Sequence, residues 1–409
     1  MTSTLQENCS FRRIISAAIS IFILAAPLLF GKGLALSFML QFAIVSIFAM
    51  SYNMLLGQTG MLSFGHAVYA GIGGYSAIHF LDYYGADSLG LGMIALPLVG
   101  GIGGAVAGLI LGYVSTRRSG TTFAMITLGI AEMVVALALL LPDLSGGEAG
   151  ITTDRMLSTV RFGINFGSDV QVYYFAWGWA VLSIALIYAY TRTPMGRLAN
   201  AVRDNPERVS FIGFNPQKLR LGVMVIAGFF AGISGAVSVV NYELVSIENL
   251  GIGQSGMVLI ATYLGGVSYF FGPVLGAFIY VLFLSLISTL SKAWLLYFGL
   301  LFIGTVLFAP QGLWKIFLSR PQLTAAFVAK IAFALLFIAG GVYTIEAIYA
   351  FRGSEDVTAL GAASPWMSLA SHALPLVVVA AAYGITRLWT LRRGQATVQA
   401  HTGSRKRSV

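Results

Sequence analysis

The chain has 409 residues, of which 57% are hydrophobic and 10% are charged, and its mean hydropathy is +0.84. These values exclude an ordinary soluble domain and indicate an integral membrane protein. The formal net charge of +9 does not indicate nucleic-acid binding, because the basic residues lie in short segments between apolar runs, where they report membrane orientation. A single cysteine, Cys9, excludes a disulfide framework and a cysteine metal cluster.

The first apolar run covers residues 14–31 and follows Arg12 and Arg13. A charged start and an apolar centre are also features of signal peptides, but no small-residue cleavage site follows, so we expect a retained first helix. Eleven further hydrophobic runs follow, and most are long enough to span roughly 30 Å of hydrocarbon as helices. They cover residues 34–56, 66–81, 89–114, 121–141, 173–190, 221–241, 253–267, 273–290, 294–309, 325–349 and 367–391.

These segments predict an all-α integral membrane protein with about ten core transmembrane helices in residues 14–310, some of them short or broken, and two extra transmembrane helices in residues 311–391. Loop charges predict the orientation, since cytoplasmic loops are rich in Lys and Arg. Residues 1–13, the stretch 192–220 and a basic tail over residues 392–409 then lie in the cytoplasm. The acidic loop, residues 142–172, has a net charge of minus two and lies in the periplasm. Only the lone Lys32 and Lys292, in short external turns, disagree.

Two glycine-rich stretches, residues 53–75 and 251–276, interrupt the membrane-embedded part of the chain. Each glycine lowers helix stability by about 1 kcal/mol relative to alanine, so these stretches are predicted to contain broken helices. Unwound backbone at membrane depth must be buried in protein or face a water-filled cavity, which makes both stretches candidates for a transport path. The pentads 57–61 and 253–257 also echo each other, either by coincidence or as part of an inverted repeat.

Six polar residues in or between the apolar runs are candidates for the transport path: Asn53, Gln58, Ser63, His66, Glu132 and Gln254. A carboxylate in the middle of a membrane helix, such as Glu132, is costly and therefore a functional candidate, although it can also be a structural group bound to a neighbouring helix. His66 is either a ligand or proton relay, or a hydrogen-bonding residue at a helix start. Asn53 and Gln58 bind a polar substrate group or satisfy the broken backbone beside them.

The longest charged interruption is the basic hairpin, residues 192–220, which has six Arg or Lys and two Asp or Glu, a net charge of +4. Three residue pairs in it place a capping side chain before a proline, the residue favoured at a helix's first position. These pairs are Thr193-Pro194, Asn205-Pro206 and Asn215-Pro216. A short helix is therefore predicted to follow each pair.

Apolar residues follow helical spacing in the first two of these helices: Leu198, Ala201 and Val202 in the first, and Val209 and Ile212 on one side of the second. The second helix meets Gly213, a residue that often ends helices. The pattern predicts a compact helical hairpin with a modest apolar stripe. Such a hairpin either binds a partner on its basic side or is an ordinary solvated loop.

The basic hairpin contains, in order, Pro194, Gly196, Arg197, Ala201, Arg203, Asp204, Asn205, Glu207, Gly213, Lys218 and Leu219. This order resembles the cytoplasmic coupling loop of ABC importer permeases of the branched-chain amino-acid type, the LivM-like family. ABC importers in general have a Glu-Ala-Ala-x-x-x-Gly signature there, and Glu207 and Gly213 keep its spacing although Arg208 and Val209 replace both alanines. The resemblance implies that contact with the ATPase involves Gly196, Arg197, Arg203, Asp204, Asn205, Glu207, Gly213 and Lys218.

Three more stretches resemble the same family, so that the similarity extends over about residues 34–310. Residues 53–75 are similar to its Asn-Leu-x-x-Gly-x-x-Gly-x-x-Ser-x-Gly-His-Ala pattern, with Met54 at a leucine position. Residues 127–151 are similar to its Thr-Leu helix and Thr-Gly-Gly external loop, with Ser145 in place of the threonine. Residues 264–276 contain the Leu-Gly-Gly and Gly-Pro-Val-Leu-Gly elements.

The resemblance implies a permease subunit of the bacterial inner membrane that works with a homologous LivH-like permease, two ATP-binding subunits and a periplasmic solute-binding protein. ATP and Mg are then bound by the partner ATPase, and this chain needs no cofactor or metal; it also has no Gly-x-x-x-x-Gly-Lys-Ser/Thr phosphate loop. Branched-chain amino acids are the expected substrates, and urea, short amides or aromatic acids are alternatives within the importer class. An ion-coupled secondary transporter is the alternative from another class.

Overall fold

The structure, a computed structural model, describes residues 33–84, 92–155, 166–291 and 293–318. Its helices are, in chain order, α1 (Leu34–Asn53), α2 (His66–Tyr84), α3 (Leu96–Ser115), α4 (Thr121–Leu140), α5 (Pro142–Ser145), α6 (Asp169–Arg192), α7 (Pro194–Asp204), α8 (Pro206–Phe211), α9 (Pro216–Tyr242), α10 (Ile252–Gly265), α11 (Gly272–Leu282), α12 (Ser288–Leu290), α13 (Trp294–Phe308) and α14 (Leu313–Leu318). Two π-helical segments (Met54–Gln58 and Phe283–Ile287), three 3-10 turns (Gly92–Ala95, Gly147–Ala149 and Ile247–Leu250) and the strands β1 (Ile151–Thr152) and β2 (Leu244–Val245) complete this part of the chain.

Nine of the predicted hydrophobic runs overlap these helices, whereas the runs at 14–31, 325–349 and 367–391 lie outside the described residues. Five helical segments in the described part are long and apolar enough to cross a membrane: Ala35–Gln58, Met93–Ser115, Thr121–Leu140, Asp169–Arg192 and Pro216–Tyr242. Three shorter apolar segments, Ile252–Gly265, Gly272–Ile287 and Trp294–Leu307, accompany them. The helical membrane class is confirmed, and the count of about ten core helices stays a prediction.

The described residues fall into two compact units, of which the second, residues 291–304, contains the first part of α13. Helices α1 to α12 and α14 belong to the first unit. The centre of this unit is α9: 72% of the most apolar window of α9 is buried, compared with 22% for α4. Helices α1, α2 and α3 all contact α9, whereas α4 lies at the periphery.

Glycines allow α3 to approach α9 closely. Gly100, Gly104 and Gly108 recur at every fourth position of α3. A Cβ atom added to Gly104 would lie 2.9 Å from the Cα atom of Gly232 in α9, closer than real Cβ contacts. Small residues at such spacing let membrane helices pack backbone against backbone, which is the main source of attraction between helices in lipid.

The acidic loop and the basic hairpin lie at opposite ends of α9. This helix starts at Pro216, in the last part of the hairpin, and runs for 27 residues, roughly 40 Å, to Tyr242. There β2 pairs with β1 of the acidic loop in an antiparallel two-stranded sheet. The Arg155 guanidinium lies 2.6 Å from Asp169 Oδ1 and 2.8 Å from Glu243 Oε1, and so fixes the loop to both α6 and α9. This separation of charge along a membrane-spanning helix agrees with the arrangement predicted from the loops.

Candidate functional site

Side-chain caps start all three helices of the basic hairpin region, as the sequence predicts. Thr193 Oγ1 accepts a hydrogen bond from Gly196 N at 3.2 Å at the start of α7. Asn205 Oδ1 accepts one from Arg208 N at 3.0 Å at the start of α8, and Asn215 Oδ1 one from Gln217 N at 2.9 Å at the start of α9. Each cap satisfies a backbone N–H that has no partner within its helix.

The apolar stripe of the hairpin forms a small core of its own. Val202, Val209 and Leu219 are buried against each other, with Leu198 and Ala201 beside them. Five residues from three different helices therefore hold the hairpin in one shape. A short, loosely held loop would have no such core, so the hairpin can move as a unit.

The prediction that Ile212 joins this stripe is wrong, because α8 already ends at Phe211 and Gly213 turns the chain with a φ of +89°. Ile212 is not part of the hairpin core. Phe211, Ile212 and Phe214 are instead exposed at 87%, 65% and 46%. These three residues form an exposed apolar patch, the hairpin tip.

The residues expected to contact an ATPase are distributed over the hairpin surface, apart from Gly196, which is buried at the start of α7. Arg197, Glu207, Gly213 and Lys218 are exposed. Asp204 lies 3.2 Å from Arg203 in an exposed ion pair, and Asn205 acts as the α8 cap. The charged members of the set are therefore all exposed, and Arg203 also contacts the membrane-embedded part of the chain.

The first glycine-rich stretch is a broken helix, as predicted. The last turn of α1 widens into the π-helical segment Met54–Gln58, residues 60–65 are not helical, and α2 begins at His66. We call residues 54–65 the break. π-helical turns inside membrane helices are frequent at functional positions, because they expose or redirect backbone groups.

Protein groups satisfy the backbone of the break, as burial in a membrane requires. Tyr52 donates a hydrogen bond to Ser63 O at 3.0 Å, and Phe64 N donates to Thr127 Oγ1 of α4 at 3.2 Å. One residue into α2, Ala67 N donates to Ser255 Oγ of α10 at 2.9 Å. The break is therefore held between α1, α4 and α10.

The basic hairpin contacts the break directly through Arg203. The guanidinium Nη1 donates a hydrogen bond to the carbonyl oxygen of Gly57. A Cβ atom on Gly60, whose φ is +68°, would lie 2.9 Å from Arg203 Cγ, so the arginine stem packs closely over the end of the π-helical segment. A cation at the carbonyl end of a helix is also stabilised by the helix dipole. Arg203 therefore links α7 to the break.

Four path candidates are buried in or beside the break. Ser63 and His66 are 0% exposed, Asn53 is 5% and Gln58 is 7% exposed. His66 Nε2 lies 2.9 Å from Ser51 Oγ, and its ring stacks on Phe48 at a centroid distance of 5.4 Å. This arrangement agrees with the interpretation of His66 as a hydrogen-bonding residue at a helix start.

Buried polar atoms without a hydrogen-bond partner lie in the break and directly beside it. Asn53 Oδ1, Gln58 Oε1 and His66 Nδ1 are buried and have no hydrogen-bond partner in the structure. A buried polar atom without a partner is destabilising by about 1–3 kcal/mol. These three atoms are therefore positions at which a polar group from outside the described residues could bind.

Glu132 lies on the exposed face of α4, opposite the face that packs on the break. It follows the start of this 20-residue helix by eleven residues, roughly half of its length. Its carboxylate has no hydrogen bond or ion pair within the described residues. The sequence also allows Glu132 to be a structural carboxylate bound to a neighbouring helix of this chain. The described residues contain no such contact. Gln254, in the first turn of α10, is likewise exposed.

Three residues that hold the break are absent from the predicted site residues: Thr127, Ser255 and Ser51. Thr127 and Ser255 belong to recognised patterns, the Thr-Leu helix and the second pentad. Their hydrogen bonds span 63 and 188 positions of the sequence, so no local signal indicates them.

The echoing pentads adopt different structures, since 57–61 closes the π-helical segment whereas 253–257 starts α10.

The described residues form a multi-helix membrane bundle that contains a broken helix and a buried unwound segment. A capped helical hairpin is bound to this break. Together these features define the class of transport permeases. A family model described as the permease component of branched-chain amino acid transport systems matches residues 34–310. The chain belongs to this family. The matched range equals the stretch over which the sequence motifs resemble LivM-like permeases.

Individual relatives agree with this assignment. The chain is 27% identical over 300 residues to the high-affinity branched-chain amino acid transport permease LivM of Escherichia coli, covering 68% of each chain. A probable LivM of Methanocaldococcus jannaschii is 25% identical, over 67% of this chain and 91% of that protein. A probable LivH of the same organism is 24% identical, over 66% of this chain and 89% of that protein. No solved structure matches the chain.

Family membership makes the chain the permease component of an ABC transport system rather than an enzyme. The predictions that this chain is the transport subunit and that ATP is bound by a separate subunit are confirmed. The chain is thus similar to both a LivM and a LivH protein of the same organism.

Proposed function

We propose that this chain is one of two homologous permease subunits that import branched-chain amino acids across the bacterial inner membrane. It pairs with a LivH-like permease, two ATP-binding subunits and a periplasmic solute-binding protein. The basic hairpin and both termini lie in the cytoplasm, and the acidic loop faces the periplasm. The charge distribution supports this orientation, because the two elements lie at opposite ends of α9.

The observation that carries the proposal is that the basic hairpin binds the break and also has an exposed apolar patch. Arg203 binds the Gly57 carbonyl of the break. Phe211, Ile212 and Phe214 are exposed within a surface of Arg, Lys and Glu side chains. An apolar centre with a charged rim is the usual composition of a protein-protein interface.

The ATPase subunit is the partner proposed for the hairpin tip. When two ATPase subunits close on ATP, the hairpin moves as a unit, because Val202, Val209 and Leu219 form its own core. Arg203 then pulls on the end of the π-helical segment. The break is not helical over residues 60–65, and we propose that it is the part of the bundle that rearranges.

The remaining predicted roles fit this mechanism. Asn53, Gln58, Ser63 and His66 surround the break and change partners when it moves. Glu132 and Gln254 face the path from α4 and α10. The acidic loop, fixed by Arg155, is the docking side for the solute-binding protein, which sets much of the substrate selectivity.

The test is purification of the chain with its neighbouring gene products in mild detergent, followed by mass spectrometry. We expect a second permease and an ATPase to co-purify with the wild-type chain. The double variant Phe211→Ser/Phe214→Ser is expected to lose the ATPase and keep the second permease. Leu144→Ser, which removes an equally exposed apolar side chain (59%) at the other end of the bundle, should keep both.

Two results would overturn the proposal. A wild-type chain that purifies alone and transports in liposomes without ATP would make it an ion-coupled secondary transporter. Retention of the ATPase by Phe211→Ser/Phe214→Ser at the wild-type ratio would exclude the hairpin tip as the docking site. Transport assays with leucine, urea, a short amide and an aromatic acid, each with the solute-binding protein, decide the substrate.

A further inference from the structure

The exposed surface of α4 differs from that of the other peripheral helices. On α3 the exposed side chains are apolar, for example Ile102 at 59% and Ile110 at 61% exposure, and the helix has no charged residue. On α6 the exposed residues away from the two ends are also uncharged, for example Val181 at 55%. Such surfaces suit lipid. The exposed face of α4 instead contains Glu132 at mid-length, where an ionised group does not remain in contact with hydrocarbon.

Small and flexible residues surround Glu132 on this face. Gly129 and Ala136, about one turn away on either side, are exposed, and a Cβ atom on Gly129 would meet no atom within 4 Å. Met125 is 70% exposed and Met133 54%. Methionine packs adaptably against apolar groups of different shape. The face therefore combines one carboxylate with room and an adaptable apolar lining.

Contacts on the opposite side of α4 set the depth of Glu132. A Cβ atom on Gly65 would lie 3.3 Å from Ala131 Cβ, the residue before Glu132. Two residues further along the chain, Ala67 N binds Ser255 Oγ, the residue after Gln254. Glu132 and Gln254 are therefore exposed at the level at which α2 starts beside the break. A polar surface at this level borders the element that the basic hairpin moves.

We propose that Glu132 lies in the water-filled path between this chain and the homologous permease and binds the ammonium group of the amino acid in transit. The second permease covers this face of α4 and keeps it from lipid. The substrate's branched side chain packs against the exposed methionines, and its cation pairs with the carboxylate. This inference rests on the proposed function and adds the residue that selects for a cationic amine.

The first experiment asks whether water reaches this face. Cys9 is the single cysteine, so Cys9→Ser gives a cysteine-free chain. Gly129→Cys and Ala136→Cys in that background are compared with Ile102→Cys in the assembled importer, using a water-soluble methanethiosulfonate reagent that reacts with thiolates. We expect labelling at 129 and 136 to be at least about tenfold faster than at 102. Equal rates at all three positions would overturn the proposal.

The second experiment asks what Glu132 binds, without the solute-binding protein. Isopentylamine has the ammonium and the branched chain of leucine but no carboxylate, and 4-methylpentanoate has the carboxylate but no ammonium. Isopentylamine is expected to slow labelling of Ala136→Cys several-fold, and 4-methylpentanoate is not. Adding Glu132→Gln should abolish this protection and Glu132→Asp should keep part of it. Protection by both compounds, or by neither, would exclude ammonium recognition.

Transport measurements separate the inference from the function on which it rests. Glu132→Gln should lower leucine uptake per ATP about tenfold while complex yield and ATP hydrolysis remain near wild type, and Ile102→Ala, at an exposed position of α3 outside the proposed site, should transport normally. An intact, ATP-hydrolysing Glu132→Gln importer with wild-type uptake would refute the role of Glu132 alone. A wild-type chain that binds no ATPase would refute the proposed function itself.

Discussion

Replacement of Arg203 by alanine tests the link between the basic hairpin and the break. The substitution removes the guanidinium from the Gly57 carbonyl and the stem from Gly60. It leaves the caps of α7 and α8 in place, since these depend on Thr193 and Asn205. The hairpin should therefore still fold and still bind the ATPase. Its movement should no longer reach the break.

The expected magnitude follows from the geometry. A hydrogen bond with a charged donor contributes about 1.5–3 kcal/mol, and the 41% exposure of the Arg203 side chain lowers this to about 1–2 kcal/mol through solvent screening. That free energy corresponds to a factor of about 5–30 in an equilibrium between coupled and uncoupled arrangements. The ion pair with Asp204, whose side chain is 70% exposed, contributes at most about 1 kcal/mol. The hydrogen bond to Gly57 therefore stabilises the coupled arrangement more than the ion pair does.

Proteoliposomes containing the complete importer, with the solute-binding protein and ATP, allow uptake per ATP hydrolysed to be measured. We expect Arg203→Ala to lower this ratio about 5–30-fold, and Arg203→Lys, which keeps the charge without the planar fork, to fall between it and wild type. Asp204→Asn is the matched control and should stay within about twofold of wild type. A wild-type ratio for Arg203→Ala, with the ATPase still bound, would refute the reasoning.

Two further predictions concern stability and are measured as melting temperatures of the purified complex. Ser51→Ala leaves His66 Nε2 without its hydrogen-bond partner and should destabilise the complex by about 1–3 kcal/mol. Ser46→Ala, on the same helix, removes a buried hydroxyl that has no partner, so its effect on stability should be neutral or favourable. Gly232→Ala forces a methyl group against the α3 backbone and should destabilise by about 1–3 kcal/mol. Gly129→Ala, in open space on α4, should not lower the melting temperature. Equal melting temperatures within either pair would contradict these assignments.

The features that the sequence predicts well are those with local causes. Long apolar runs form helices because a membrane-embedded backbone must satisfy its own hydrogen bonds. The starts of α7, α8 and α9 follow from one side chain and one proline each. The break follows from glycine content alone. None of these features depends on a distant residue.

The features that the sequence does not predict depend on contacts between distant segments. Ile212 has the spacing of a buried residue, but it follows the last residue of α8 and is 65% exposed. The contact of Arg203 with Gly57 joins residues 146 positions apart, whereas the sequence pattern assigns Arg203 to the ATPase surface only. The sequence predicts that Glu132 is paired or faces a cavity. Whether the exposed face of α4 borders such a cavity depends on a second chain.

These distant contacts form one continuous route through the bundle. Arg203 binds the end of the π-helical segment at Gly57, and the break leads from there to Phe64, whose N–H binds Thr127 on α4. Five residues further along α4, on the other side of the helix, is Glu132. Each step is a hydrogen bond or a close backbone contact, so these contacts link the hairpin to α4. We infer that the hairpin governs the width of the path at Glu132, so that Arg203→Ala should also abolish any ATP-dependent change in the labelling rate of Ala136→Cys. If that rate still changes with ATP in the Arg203→Ala importer, the force reaches α4 by another route.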